Sequence, residues 1–355
     1  MTNEIAFNLN DLVRKNVKAM KPYSSARDEF KGEADVFLDA NENPFPSPFN
    51  RYPDPLQWKV KEKLAKIKKV KPDQIFLGNG SDEAIDLLIR AFCEPHQDEI
   101  LITEPTYGMY AVCADLNAVA ISKVLLTPDY DLDLEATLKA ITPNTRIVFL
   151  CSPNNPSAAL LTRDHITQVI ESFKGLVVVD EAYIDFCNYP SWIEKLGQYP
   201  NLVILQTFSK AWGLAALRCG MAYASAEIIS ILNKIKYPYN INIQTQELVL
   251  QALDNERQKN KWVSDILSER ETLVENLQQL PIVKKVFPSD ANFILARVTD
   301  APSVYKYLMQ KGIIVRDRSR VKLCEDCLRI TIGTRIENDQ LINALSKVDS
   351  TKTKP

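Results

Sequence analysis

The sequence predicts an α/β protein with a large domain built on a mostly parallel central sheet, over residues 36–250, and a small α+β domain assembled from 1–35 and 251–355. Short β-rich runs alternate with helical spacing through the middle of the chain, and several of those runs are apolar without alternation. A charged helical stretch then ends at Pro281 and gives way to a different pattern. Runs such as Val177-Val178-Val179 are the mark of strands buried on both faces, as in a parallel sheet between helical layers.

The elements follow in order. The segment from Asp39 to Pro55 carries Pro44, Pro46, Pro48, Pro53 and Pro55, so it is an irregular extended arm. Leu56, Val60, Leu64 and Ile67 fall on one face of a lysine-rich helix. Strands are expected at Gln74 to Leu77, Glu99 to Thr103, Val119 to Leu125, Arg146 to Cys151, Leu176 to Asp180, Leu202 to Thr207 and Cys219 to Ala224. From about Ile243 to Leu280 the pattern is helical. Beyond it come a strand at Asn292 to Val298, a helix at Pro302 to Lys311, a strand at Leu328 to Ile332 and a last helix from Asn338, the grammar of a small α+β unit.

Composition excludes several functions. With 43 basic against 45 acidic residues the formal charge is −2, which favours neither nucleic acid nor an anionic membrane as a partner. No stretch of membrane-spanning length is apolar and uncharged, and the first thirty residues lack a signal-peptide core, so a cytoplasmic protein is expected. Seven scattered cysteines suit reduced, mostly buried thiols. With His96 and His165 the only histidines, both in polar segments, neither a histidine-based metal site nor a Ser-His-Asp triad is expected. Cys324-Glu325-Asp326-Cys327 is a single CxxC with no second pair, which argues against zinc; no metal is expected.

Three elements fall at strand ends, where open α/β sheets bind ligands. Gly78-Asn79-Gly80-Ser81-Asp82-Glu83 opens a helix, with Ser81 suited to cap it and free N–H groups suited to an anion such as phosphate. Such turns also carry Gly and Ser for structural reasons alone, and the third glycine of a dinucleotide fingerprint is missing, which argues against NAD. Asp180, in Val179-Asp180-Glu181-Ala182-Tyr183, emerges from buried valines and calls for a cationic partner, although a helix cap at a strand end would look the same. Lys210, in Thr207-Phe208-Ser209-Lys210-Ala211-Trp212-Gly213, ends an apolar strand, where desolvation lowers an amine's pKa into the range of a nucleophile and base.

Taken together, Ser152-Pro153-Asn154-Asn155-Pro156, Asp180-Glu181-Ala182-Tyr183, Ser209-Lys210-Ala211-Trp212-Gly213-Leu214 and Leu217-Arg218-Cys219-Gly220 resemble the fold-type-I pyridoxal-phosphate aminotransferases in order and spacing. Leu38-Asp39-Ala40-Asn41-Glu42-Asn43-Pro44, Arg51-Tyr52-Pro53-Asp54-Pro55 and Cys327-Leu328-Arg329-Ile330-Thr331-Ile332-Gly333-Thr334 are similar to the histidinol-phosphate branch of that family. The resemblance implies pyridoxal 5'-phosphate as cofactor, anchored covalently by Lys210, with Asp180 on the pyridine nitrogen and Tyr183 and Asn155 on the phenolic oxygen. Tyr107 stacks on the ring; Ser81, Asp82, Ser209 and Arg218 hold the phosphate, with Tyr52 reaching over from the second subunit of a homodimer. Arg329 binds substrate carboxylate or phosphate, with Tyr23, Arg316 and Asn43 as further substrate-side candidates; a surface ion pair would account for Arg316 equally well.

The implied reaction interconverts L-histidinol phosphate and 2-oxoglutarate with imidazole-acetol phosphate and L-glutamate, a step of histidine biosynthesis. An aromatic or related amino-acid aminotransferase of the same fold is the alternative, with a phosphothreonine decarboxylase behind it. Three positions depart from the family's pattern, where Thr-Gly commonly follows Asn-Pro and Gly occupies a later site: Ser157-Ala158 follow Pro156, and Ala216 stands at that later site.

Overall fold

The computed structural model describes residues 7–23 and 35–348. Its large sheet contains β1 (Ile75–Asn79), β2 (Glu99–Glu104), β3 (Ala120–Leu125), β4 (Thr145–Cys151), β5 (Leu176–Asp180), β6 (Leu202–Thr207) and β7 (Cys219–Tyr223), in the spatial order β1-β7-β6-β5-β4-β2-β3. β2 to β6 run parallel with β3, and β7 is antiparallel to both β6 and β1. The predicted runs therefore became strands within a residue or two. β5 is buried at every position, as its unbroken valines require once helices cover both faces.

A second sheet, ordered β10-β11-β9-β8, contains β8 (Val283–Val286), β9 (Phe293–Val298), β10 (Arg316–Asp317) and β11 (Cys327–Thr331). Its core joins Leu273 and Leu277 to Ile294, Leu328 and Leu341. The helical stretch before it is two helices, Ile243–Asp254 and Glu256–Gln278, broken at Asn255. The last helix starts at Arg335, earlier than expected, because Thr334 and Glu337 form a reciprocal capping box.

One expectation about the amino-terminal segment is corrected. Leu12, Val13 and Val17 do not join the second sheet but pack with Phe76, Leu88 and Phe92 against the large one, and Arg14 Nη1 donates to the carbonyl of Arg90. Short apolar patches of this kind fit any complementary face, and the sequence does not say which one. The rest of 1–35 lies largely outside the described residues.

Candidate active site

The sheet topology gathers strand ends on one edge. β4, β5 and β6 end there at Cys151, Asp180 and Thr207; antiparallel β7 begins there at Cys219, and β1 ends opposite it at Asn79. The residues just past these ends enclose a cavity of about 150 Å³ lined by, among others, Ser81, Asn155, Asp180, Tyr183, Lys210 and Arg218.

Asp180 is the deepest charged group of the cavity, 3% exposed. Its Oδ2 accepts from the Tyr110 hydroxyl at 2.7 Å and its Oδ1 from the Ala182 N–H at 3.0 Å. Burial raises its pKa to about 6 against the pull of those two hydrogen bonds and of Lys210. Both donors are neutral, so a full negative charge there lacks a contacting cation.

Lys210 follows β6, and its backbone carbonyl closes a turn by accepting from the Gly213 N–H at 3.0 Å. Its Nζ lies 5.5 Å from the centre of the Tyr183 ring. Burial first, then the cation of Arg329, lowers its pKa from the ordinary lysine value. Asn155 Nδ2 reaches toward the Tyr183 hydroxyl at 3.4 Å, while Asn155 Oδ1 accepts from Arg329 Nη1 at 2.5 Å. Burial raises the pKa of the Tyr183 hydroxyl and lowers that of the Arg329 guanidinium, since the same dry surroundings disfavour the charged form of either.

Opposite Lys210 lies the start of the helix Gly80–Phe92. Its cap residue is Asn79, not Ser81 as expected, because the Gly80 N–H donates to the Arg218 carbonyl at 2.8 Å and so turns the chain two residues earlier. Ser81 is thereby left lining the cavity, beside N–H groups that have no partner within the helix. Arg218, in the left-handed region at φ 51°, sends Nη2 to Asp82 Oδ2 at 3.4 Å, and Asp82 Oδ1 accepts from the Tyr107 hydroxyl at 3.0 Å. Two glycines permit this crowding: a Cβ on Gly80 would stand 2.8 Å from Arg218 Nη2, and one on Gly220 would stand 2.2 Å from the Ser81 nitrogen. Ser209 Oγ accepts from Thr207 Oγ1 at 3.0 Å and completes the wall.

Four expected residues are elsewhere. Tyr52 and Asn43 line a separate groove of about 620 Å³, where Tyr52 stacks on Tyr239 with ring centres 4.5 Å apart. Asn43 Oδ1 accepts from the Phe45 N–H at 3.0 Å. Tyr23 is 69% exposed, and Arg316 is exposed and sits directly across from Arg329 in the β10–β11 register. Cys324 and Cys327 are buried core side chains, with Cys324 Sγ 3.6 Å from the Tyr130 hydroxyl.

The structure adds Tyr110, Thr207 and Arg318 to the neighbourhood. Tyr110 sits three residues past Tyr107, a separation that lets both rings meet the same strand ends, but an aromatic there reads as plain core. Arg318 follows Arg316 by two, the strand period that returns a side chain to the same face, and its Nε is buried without a partner among the described residues.

The family model for aminotransferase class I and II matches residues 34–345. A histidinol-phosphate aminotransferase of Parabacteroides distasonis is 56% identical over 340 residues, covering 96% of this chain and 99% of the relative. The crystal structure of the histidinol-phosphate aminotransferase from Clostridium acetobutylicum superposes with a TM-score of 0.78 at 26% identity, over 84% of this chain and 90% of that one. The L-threonine-O-3-phosphate decarboxylase of Porphyromonas gingivalis shares the fold, with a TM-score of 0.72 at 24% identity over 83% of this chain and 89% of that one.

Proposed function

We propose a function from one premise: this chain belongs to the class I and II aminotransferase family. It is a pyridoxal-phosphate-dependent enzyme that moves an amino group between L-histidinol phosphate and 2-oxoglutarate, yielding imidazole-acetol phosphate and L-glutamate. Identity of 56% across nearly the full length of a relative of that name supports this substrate pair over the aromatic alternative. The fold alone does not separate them, since a decarboxylase has it too.

The residues present fit the cofactor. The observation that carries the reading is Asp180, a buried carboxylate facing a cavity with only neutral donors in contact, which a pyridinium nitrogen would complement. On the far side, Arg218, Ser209, Ser81 and the free N–H groups of a helix start suit a phosphate dianion. Bound there, pyridoxal phosphate supplies an electrophilic carbon for an amine and a protonated ring that draws electrons from the substrate's α-carbon.

The protein's own groups do the rest. Lys210 Nζ, favoured in its neutral form by burial and by Arg329, would hold the cofactor and, as a free amine, would carry the proton away from the substrate's α-carbon and return it to the product. Asp180 holds the proton on the ring nitrogen. Asn155 and Tyr183 bind the ring oxygen, and Tyr107 covers the ring, its hydroxyl tied to Asp82. Arg329 receives the glutamate carboxylate or the phosphate of the other substrate, with Asn155 fixing its fork. Arg316, paired with it across the β10–β11 register, is the further substrate-side candidate beside it, whereas Tyr23 and Asn43 stand away from this cavity.

The enzyme acts as a homodimer in the cytoplasm. Tyr52 lies outside its own chain's cavity on an arm exposing Leu38 (89%), Phe45 (75%) and Phe49 (58%), which favours cover by a second copy whose site Tyr52 then enters. Seven unpaired thiols suit a reducing compartment, and among the described residues no helix is long and apolar enough to cross a membrane. Turnover of histidinol phosphate, phenylalanine and threonine phosphate with 2-oxoglutarate tests the reading. Preference for histidinol phosphate supports it; preference for phenylalanine, or carbon dioxide release from threonine phosphate, overturns it.

A further inference from the structure

Asp180 is held by a side chain with no part in the scheme above. Tyr110 is fully buried in the helix Met109–Leu116, and its hydroxyl donates to Asp180 Oδ2 at 2.7 Å. The ring is pinned on two sides, stacked on Phe149 with centres 4.8 Å apart and edge-on to Tyr107 at 5.7 Å. A ring so clamped keeps its hydroxyl at the Asp180 carboxylate, with the weakly accepting Cys151 thiol as its other polar neighbour. With the Ala182 N–H on Oδ1, each carboxylate oxygen has one fixed donor, and two anchors set the plane of the group.

We propose that Tyr110 is a positioning residue whose hydroxyl holds the Asp180 carboxylate ionised and aimed at the cofactor's ring nitrogen. The inference rests on the reading of Asp180 as that nitrogen's partner. The groups that face Asp180 are Tyr107, Tyr110, Cys151 and Tyr183, together with Asp82 and Lys210. Of these only Lys210 is a cation, and among the described residues it makes no hydrogen bond or ion pair to Asp180. A neutral donor in contact is then what allows a buried anion to exist before the ring arrives. Burial and the neighbouring carboxylate push the Tyr110 hydroxyl well above its usual range, so it stays a donor at working pH.

Tyr110→Phe keeps the ring and removes the proton. Cofactor-free protein is titrated with pyridoxal phosphate and with the analogue that has carbon in place of the ring nitrogen, following tryptophan fluorescence. The substitution is expected to weaken pyridoxal phosphate about tenfold, the effect of one hydrogen bond to a charged group, while leaving the carbon analogue roughly unchanged. In an Asp180→Asn background the same substitution costs pyridoxal phosphate roughly nothing. Equal weakening of both compounds would make Tyr110 a packing residue, and no weakening of either would make it a bystander; each result overturns the proposal.

A second readout needs no cofactor. Asp180 has a folded pKa above its unfolded value, so the apo-protein is more stable with it protonated and loses that stability as pH rises toward 6. Losing the Tyr110 proton raises the folded value further, so the decline in apo-protein Tm continues to higher pH in Tyr110→Phe and vanishes with Asp180→Asn. An unshifted decline contradicts the proposal. Should the wild-type protein bind no pyridoxal phosphate at all, the functional reading fails instead.

Discussion

Asp180 and Glu181 are adjacent, acidic, at the end of the same strand and buried to 3% and 1% exposure, yet they do opposite things. Glu181 accepts from Trp192 N, Gln206 Nε2 and Ser191 Oγ at 2.7, 2.9 and 2.5 Å and faces the packed interior. Asp180 accepts from one phenol and one amide and faces a cavity. Burial raises the pKa of both. What separates a structural carboxylate from a functional one is how far its acceptors are already filled.

The lysines repeat the lesson. Lys61, 1% exposed, has its pKa lowered to about 7 by burial and by Lys236, yet it sits beside Trp58 and lines none of the cavity. Lys210 is less buried but stands among Tyr183, Asp180 and Arg218. A depressed pKa alone would point to the wrong lysine.

The largest effect expected along this divide is on Lys210. Lys210→Ala should lower kcat by ~10³-fold or more if the lysine is both anchor and proton carrier as proposed, while Lys61→Met leaves kcat within a few-fold. Steady-state kinetics of the two variants settles the contrast. Asp180→Asn should cost kcat on the order of 10²-fold, from losing the charge opposite the ring. It should also stabilise the apo-protein at pH 8 by about 3 kcal/mol, because burial pushes the Asp180 carboxyl up to about 6 and its ionisation in the folded chain is then costly at about 1.4 kcal/mol per pH unit. Near pH 3 the gain disappears almost entirely, because the carboxyl is then mostly protonated in folded and unfolded chains alike; urea titration at both pH values checks the sign.

Glu181→Ala should do the reverse. It strands buried donors and destabilises the fold by ~2–4 kcal/mol, with kcat per folded molecule almost unchanged. Smallest is Ala158→Gly. Ala158 is fully buried at φ 64°, a conformation glycine adopts freely, so the substitution should raise stability by up to about 1 kcal/mol without altering KM.

The sequence revealed the large sheet because strands covered on both faces must be continuously apolar, and Val177-Val178-Val179 has no other comfortable home. It hid β8, whose Val283-Lys284-Lys285-Val286 is half-exposed, and β10, only two residues long. That Lys210, Asp180, Tyr183, Asn155 and Arg218 meet at one cavity was legible because their motifs occupy strand ends in a recognisable order. Tyr110 was not, since a buried tyrosine reads as packing until its hydroxyl is seen on a carboxylate. Nor could the sequence show that Ser81 is passed over as a cap, because the bond from Gly80 to Arg218 joins residues far apart in the chain. Ala158 was noticed as a departure, but only its positive φ gives that departure a physical meaning.

The most direct test is to load the protein with pyridoxal phosphate, reduce the lysine linkage with borohydride and map the modified peptide. The label is expected on the peptide carrying Lys210, with none on that carrying Lys61. A label on Lys61 or any other lysine, or no label at all, would contradict the claim that the cavity beside Asp180 is the catalytic centre.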